Sequence, residues 1–149
     1  MATETTGAID TGTADVLFER RGAVGWVTFN RPEQRNAMTF AMYEAVVRIC
    51  DAAEADPTLA VLVFRGAGEK AFVAGTDISQ FRTFTDPQHA IEYEERMDRV
   101  IGRLEAVGRP TIAMIRGYAV GGGASLAMAC DLRVCTPDAR FGVPISRTL

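Results

Sequence analysis

Two glycine-containing turns hold the residue types in this chain that could do chemistry. Gly121-Gly122-Gly123 stands between a strand-like segment and a predicted helix, and Ala74-Gly75-Thr76-Asp77 joins a strand to a helical turn. Residues without side chains at the start of a helix leave backbone N–H groups unshielded, and such groups can bind an anion or stabilise a developing oxyanion. A tight turn, and capping of its own helix by Asp77, would explain the same residues without any ligand.

Composition and motifs exclude several other functions. The glycine turns contain neither the GxGxxG pattern of a dinucleotide site nor the spacing and lysine of a phosphate-binding loop. A formal net charge of -3 gives no reason to expect a nucleic acid partner. No apolar run approaches the roughly 18 residues that span a bilayer, so we expect no membrane partner. Cys50, Cys130 and Cys135 form no CxxC pair, which predicts reduced thiols in a cytoplasmic protein and no metal site.

Alternating strand and helix patterns must position the two turns. The 149 residues, 48% apolar and 23% charged, predict one globular core over 15–149 after a flexible tail at 1–14 that is rich in Thr, Ala and Gly. Apolar residues at helical spacing predict helices over 38–55 and after Asp86-Pro87. Apolar runs predict a hairpin over 16–30 and buried strands, which together indicate an α/β fold with a parallel sheet. The predicted strands are 60–64, 71–73, 111–115 and 132–135, of which 111–115 is expected to be buried.

Three separated motifs resemble the enoyl-CoA hydratase/isomerase (crotonase) family. They lie at 30–38, 70–78 and 116–131, in the order and spacing of that family, and the resemblance extends from Val16 to about Pro144. The resemblance implies a crotonase-type spiral of ββα turns, here an incomplete core that is truncated before the C-terminal trimerisation helices. For the full-length protein it implies a homotrimer or a hexamer.

The same resemblance implies a site for an acyl-CoA thioester as substrate, with no separate cofactor. The backbone N–H groups of Thr76 and Gly122 would form an oxyanion hole for the thioester enolate, although family members usually have alanine where Thr76 stands. The family places coenzyme A against the loop at 33–37 and the turn at 74–78. The expected CoA contacts are therefore Glu33, Arg35, Asn36, Ala37, Ala74, Asp77 and Ile78. For Arg35, pairing with a CoA phosphate and ordinary solvation are equally consistent with the sequence.

The chain departs from the family at the two glutamates that activate water in its hydratases. Ser125 and Ile145 stand at these positions. A serine hydroxyl can orient water but is a poor base, and isoleucine can do neither. Acids on the helix after the Thr76 turn could substitute, although a solvated helix face is the simpler explanation, and His89 reads more simply as a surface residue. The acids in question are Glu92, Glu94, Glu95 and Asp98.

These residues leave three interpretations of function. The first is an enzyme like the enoyl-CoA hydratases and isomerases, a lyase or an isomerase, that stabilises a thioester enolate. The second keeps the acyl-CoA site but not the hydratase reaction, either as another enzyme such as a decarboxylase or as a non-catalytic acyl-CoA-binding protein. The third is a fragment that does not function alone.

Overall fold

The computed structural model describes residues 8–144, which form two β-sheets and the helices packed against them. The strands are β1 Val16–Arg21, β2 Val24–Phe29, β3 Val61–Gly66, β4 Ala71–Ala74, β5 Thr111–Ile115, β6 Tyr118–Val120, β7 Leu132–Cys135 and β8 Arg140–Gly142. The α-helices are α1 Phe40–Ala55, α2 Pro87–Ala106 and α3 Gly122–Ala129, with short 3-10 helices at Pro32–Gln34 and Ile78–Thr83. The larger sheet has the order β1-β2-β3-β5-β7 and the smaller one β4-β6-β8.

Strand pairing brings the two glycine turns together. Only β1 and β2 pair antiparallel, as the predicted hairpin requires, and every other strand pair within the described residues is parallel. In the smaller sheet Ala74 lies opposite Val120. Since parallel strands end at the same edge of a sheet, the chain leaves β4 at Gly75 and β6 at Gly121 side by side.

Local side-chain chemistry defines where the long helices begin. The Thr39 hydroxyl accepts a hydrogen bond from the Met42 N–H at the start of α1, and the Asp86 carboxylate accepts one from the Gln88 N–H at the start of α2. The predicted Asp86-Pro87 start of α2 is confirmed. The prediction that α1 begins at 38 is wrong by two residues, because Met38 instead forms a parallel β-bridge with Thr76.

The described part of the predicted tail lies against the core. Ile9 packs on the buried hydrophobic cluster, and the Thr11 hydroxyl donates hydrogen bonds to the backbone that follows. This hydroxyl lies 2.7 Å from the Thr13 carbonyl oxygen and 3.0 Å from the Val16 carbonyl oxygen. The flexible tail at 1–14 stays a prediction, and its residues 1–7 lie outside the described residues.

The two edges of the larger sheet differ in character. Along β1 the exposed residues include Glu19 and Arg21, which form an ion pair. Along β7 every residue is exposed, with Leu132 at 58% and Val134 at 60% of their full accessible surface. In residues 8–144 we find no helix long and apolar enough to cross a membrane.

Burial separates the three cysteines and predicts their reactivity. Cys50 and Cys130 are buried, and burial raises the pKa of both thiols to about 12, whereas Cys135 is exposed. Because the thiolate is the nucleophile, the two buried groups are protonated and shielded at pH 8. We expect Ellman's reagent to modify one thiol rapidly in the native protein and all three in denaturant. Cys135→Ser should remove the rapid phase, and rapid modification of a second thiol would contradict the described burial.

Candidate active site

An open cavity of about 610 Å³, the main cavity, lies where the turns after β4 and β6 meet. Gly75 and Thr76 contribute one part of its wall, and Gly121 and Gly122 contribute another. Side chains of α2 and of the 3-10 helix Ile78–Thr83 complete much of the remainder, and most of these are apolar. The cavity is thus a concave, largely apolar site with backbone groups of two turns at one side, the usual form of a small-molecule site.

Glycine is needed in both turns for the backbone to adopt this arrangement. Gly75 and Gly121 have φ values of +81° and +55°, a region that side-chain-bearing residues rarely adopt. A Cβ atom added to Gly121 would lie only 3.6 Å from the Gly75 Cα atom. An added Cβ atom would therefore reach van der Waals contact with the other turn, which shows that the two turns adjoin.

Two backbone donors in these turns have no partner within the described residues. The Met38 N–H donates to the Gly75 carbonyl, and the Asp77 N–H donates to the Met38 carbonyl. The Thr76 N–H takes no part in this bridge. Gly122 is the first residue of α3, where an N–H group has no acceptor inside the helix. Among residues 8–144 neither the Thr76 nor the Gly122 N–H donates a hydrogen bond. Both are available to an oxygen atom of a ligand.

Three hydroxyl groups form a chain beside these donors. The Tyr43 hydroxyl oxygen lies 2.8 Å from the Thr76 Oγ1, which lies 2.9 Å from the Tyr93 hydroxyl oxygen. Burial raises the pKa of Tyr43 to about 12. A Cβ atom on Gly122 would lie 2.3 Å from the Tyr43 hydroxyl oxygen, so this chain also occupies the space beside the second turn.

Sequence reasoning missed the two tyrosines of this chain as site residues. Tyr43 was predicted only as an apolar position of α1, and Tyr93 was not singled out. The available signal was spacing, because Tyr93 stands four residues before Met97 on the buried stripe of α2, and a polar tip on such a stripe needs a partner.

The acidic residues proposed as substitutes for the glutamates separate into two groups. Glu94 and Asp98 line the cavity with their exposed side chains, whereas Glu92 and Glu95 do not line it. His89 lies outside the lining as well, and its Nδ1 accepts a hydrogen bond from the Thr85 N–H. The structure thus brings two carboxylates of α2 to the site.

Only one of the two positions at which this chain lacks the family's glutamates lies within the described residues. Ser125 lines the cavity one turn after Gly122, as its place near the start of α3 predicts. Ile145 lies outside the described residues. The helix that supplies the Gly122 donor therefore presents a hydroxyl and no carboxylate to the cavity at this position.

The residues expected to contact coenzyme A fall at three places. Ala74 and Ile78 line the main cavity. Glu33 lines a separate small cavity with Lys70, and Arg35 lines another with Lys70 and Arg140. The two smaller cavities share Glu69 and Lys70, so the loop at 33–37 adjoins side chains of both charges.

Asp77 has an identifiable structural role. Its carboxylate accepts hydrogen bonds from the Ser79 N–H and hydroxyl, which caps the 3-10 helix Ile78–Thr83. The Arg31 guanidinium lies 3.0 Å from the second carboxylate oxygen. The hydrogen bonds from Ser79, followed by the contact with Arg31, hold the pKa of Asp77 below its ordinary value. A contact with coenzyme A through Asp77 stays a prediction.

Asn36 and Ala37 act within the loop mainly through internal contacts. The buried Asn36 side chain donates to the Ala67 and Ala71 carbonyls and accepts from the Arg31 N–H. The Ala37 carbonyl accepts from the Arg31 guanidinium. The amide of Asn36 is therefore committed to holding the loop, and the predicted contacts of both residues with coenzyme A stay predictions for their backbone atoms.

A family of known proteins matches most of this chain. The model of the family Enoyl-CoA hydratase/isomerase matches residues 19–148, and the chain belongs to this family. It is 36% identical over 130 residues to the short-chain-enoyl-CoA hydratase of Clostridium acetobutylicum, covering 87% of this chain and 49% of that protein. It is also 36% identical over 133 residues to the hydroxycinnamoyl-CoA hydratase-lyase of Pseudomonas fluorescens, covering 86% and 48%.

Solved structures confirm the predicted fold. The crystal structure of an enoyl-CoA hydratase/carnithine racemase from Magnetospirillum magneticum superposes with a TM-score of 0.85 at 36% identity, covering 91% of this chain and 51% of that one. The α/β crotonase fold inferred from the three motifs is therefore correct. The chain spans about half the length of the relatives it matches.

Proposed function

We propose that the chain binds an acyl-CoA thioester in the main cavity and stabilises its enolate through the backbone N–H groups of Thr76 and Gly122. The observation that carries this proposal is that two unpartnered donors stand in adjoining turns at one side of an apolar cavity. Donors held in place by the fold stabilise a developing oxyanion without reorganising, and each typically contributes about 2.7–4 kcal/mol to catalysis. The names of the relatives support a CoA ester as the ligand.

The proposed reaction is of the enoyl-CoA hydratase or isomerase type, a lyase or isomerase reaction that passes through an enolate. Such a reaction needs an acid or a base within reach of the carbon next to the thioester. Glu94 and Asp98 are the described carboxylates that line the cavity. We assign them this role in place of the family's glutamates, with Ser125 orienting water.

A second candidate is a non-hydratase acyl-CoA enzyme, such as a decarboxylase, or an acyl-CoA-binding protein without turnover. Ser125 favours it, since α3 presents no carboxylate to the cavity at that position. In this case the two backbone donors would hold the thioester carbonyl without a proton being moved by the protein.

One experiment separates the candidates. Calorimetric titration of the chain with butyryl-CoA and with free coenzyme A measures binding, and loss of the absorbance of the conjugated thioester of crotonyl-CoA measures turnover. We expect tighter binding of butyryl-CoA than of coenzyme A, together with turnover. Binding without turnover would favour the second candidate, and no binding of butyryl-CoA would overturn both.

The matched control variant is Met128→Gln. Met128 lies on α3 but is 65% exposed and does not line the cavity. Binding and turnover should be unchanged in this variant. A loss there equal to that of a cavity variant would show that the measurements report on folding of α3 and not on the site.

A further inference from the structure

Burial determines which hydroxyl donates and which accepts in the chain of hydroxyl groups Tyr43–Thr76–Tyr93. The Tyr43 side chain is 1% exposed, and its hydroxyl has Thr76 Oγ1 as its only hydrogen-bond partner within residues 8–144. A buried O–H group without an acceptor is costly, and a phenol that keeps its proton can satisfy that need only by donating. Tyr43 therefore donates to Thr76.

The direction continues through Thr76 to Tyr93. A threonine hydroxyl has one proton, and with Tyr43 donating to its oxygen, that proton is directed to the Tyr93 hydroxyl oxygen 2.9 Å away. The proton of Tyr93 itself then remains without an acceptor among the described residues. Because Tyr93 is half-buried and lines the main cavity, this last proton is offered to whatever occupies the cavity.

Aromatic packing holds the Tyr93 ring in place. The Phe81 ring meets it edge-on with the centroids 4.9 Å apart, and the Phe40 ring lies 5.9 Å away. Since these rings pack against the body of Tyr93, its hydroxyl is positioned before a ligand arrives. A preorganised donor contributes more to affinity than a mobile one, because less side-chain entropy is lost on binding.

The charges around the cavity limit what the donor can recognise. Glu94 and Asp98 line the same cavity, and no Arg or Lys is among the described lining residues. Two carboxylates disfavour an anionic acyl group through like-charge repulsion. The acceptor that suits Tyr93 is therefore a neutral oxygen, a hydroxyl or a carbonyl.

We propose that Tyr93, oriented by Tyr43 through Thr76, selects acyl-CoA esters that have a neutral oxygen on the acyl chain near the thioester. This inference rests on the proposed function, since it places the acyl group in the cavity beside Thr76. Tyr93 contacts the substrate, and Tyr43 acts as a positioning residue. No bond is made or broken by this contact, which contributes one hydrogen bond to substrate recognition.

The test compares matched ligands on the complete chain at pH 7. Calorimetry gives the affinities for butyryl-CoA, for both enantiomers of 3-hydroxybutyryl-CoA, for acetoacetyl-CoA and for succinyl-CoA. We expect the wild-type chain to prefer a hydroxyl or keto ester over butyryl-CoA by about three- to tenfold, the range of one neutral hydrogen bond. Succinyl-CoA should show no such preference.

Three variants test whether the Tyr93 hydroxyl causes the preference for oxygenated esters. Tyr93→Phe should reduce it to about onefold. Because the preference is the ratio of two affinities measured on the same variant, a general loss of binding would not produce this result. Thr76→Val, which keeps the backbone N–H, should weaken it because the chain is broken. Tyr118→Phe makes the same chemical change outside the main cavity and should leave the preference intact.

The outcomes distinguish this inference from the proposed function. Failure of the wild-type chain to bind any of the esters overturns the proposed function and this inference with it. Equal affinities for butyryl-CoA and the oxygenated esters, a stronger preference for succinyl-CoA, or a preference retained in Tyr93→Phe or Thr76→Val would overturn this inference alone. Loss of the preference in Tyr118→Phe would overturn it as well.

Discussion

Thr76→Pro is expected to lower turnover of an acyl-CoA ester by about 10²- to 10³-fold, the usual effect of removing one oxyanion donor. Proline has no backbone N–H, and the N–H lost at this position makes no hydrogen bond within the described residues. The substitution therefore removes the proposed donor without removing a backbone hydrogen bond of the fold. It also removes the Thr76 hydroxyl with its hydrogen bonds to Tyr43 and Tyr93, a loss that a Thr76→Ala variant shares. Initial rates with crotonyl-CoA, together with circular dichroism of the same samples, measure the effect.

Thr76→Ala is the matched control for the proline variant. It keeps the N–H and removes the hydroxyl, so its turnover of crotonyl-CoA should stay within about tenfold of the wild-type value, as expected for the loss of one neutral hydrogen bond. Equal losses in the alanine and proline variants would show that the side chain, and not the backbone donor, matters for catalysis.

Gly123→Ala is expected to lower the free energy of unfolding by about 3 kcal/mol, at the upper end of the usual cost of overpacking a core. The added Cβ atom would lie 2.0 Å from the Val73 carbonyl oxygen and 2.9 Å from the Val73 Cβ atom. Both residues are buried, and the obstructing oxygen belongs to the backbone of β4, which cannot turn aside as a flexible side chain could. Urea denaturation of wild-type and variant chains measures the difference.

The same substitution at a second glycine is expected to raise the free energy of unfolding. Gly102 lies within α2, and a Cβ atom there would have no atom within 4 Å. Gly102→Ala should raise the free energy of unfolding by roughly 0.5–1 kcal/mol through helix propensity alone. A Gly123→Ala variant as stable as the wild type would contradict the close contact between α3 and β4 that holds the two turns together.

Local patterns in the sequence were sufficient for most of the fold. The strands Thr111–Ile115 and Leu132–Cys135 have the predicted bounds, because each is a short, mostly apolar segment enclosed by turn residues. The strand β8 was missed because its three residues are largely exposed and show no alternation. The start of α1 was misplaced because the β-bridge of Met38 depends on a partner 38 residues further along the chain.

The candidate site was predictable where a backbone motif defines it and unpredictable where side chains meet across the fold. Glycine turns that follow strands indicated unshielded backbone N–H groups, and the resemblance to the family assigned the proposed donors to Thr76 and Gly122. The hydroxyl chain joins Tyr43 to Thr76 across 33 residues and Thr76 to Tyr93 across 17. No spacing rule connects such positions, since their contact follows from how α1 and α2 pack around the turn.

The two edges of the larger sheet differ in how readily another strand could pair with them. An edge strand presents unpaired N–H and C=O groups that can pair with another strand, and charged side chains are a common protection against this. On β1 the exposed Leu17 is accompanied by three charged residues, Glu19, Arg20 and Arg21, which provide such protection. On β7 the exposed Leu132 and Val134 flank one charged residue, Arg133, so strand addition to this sheet is less strongly opposed at β7 than at β1.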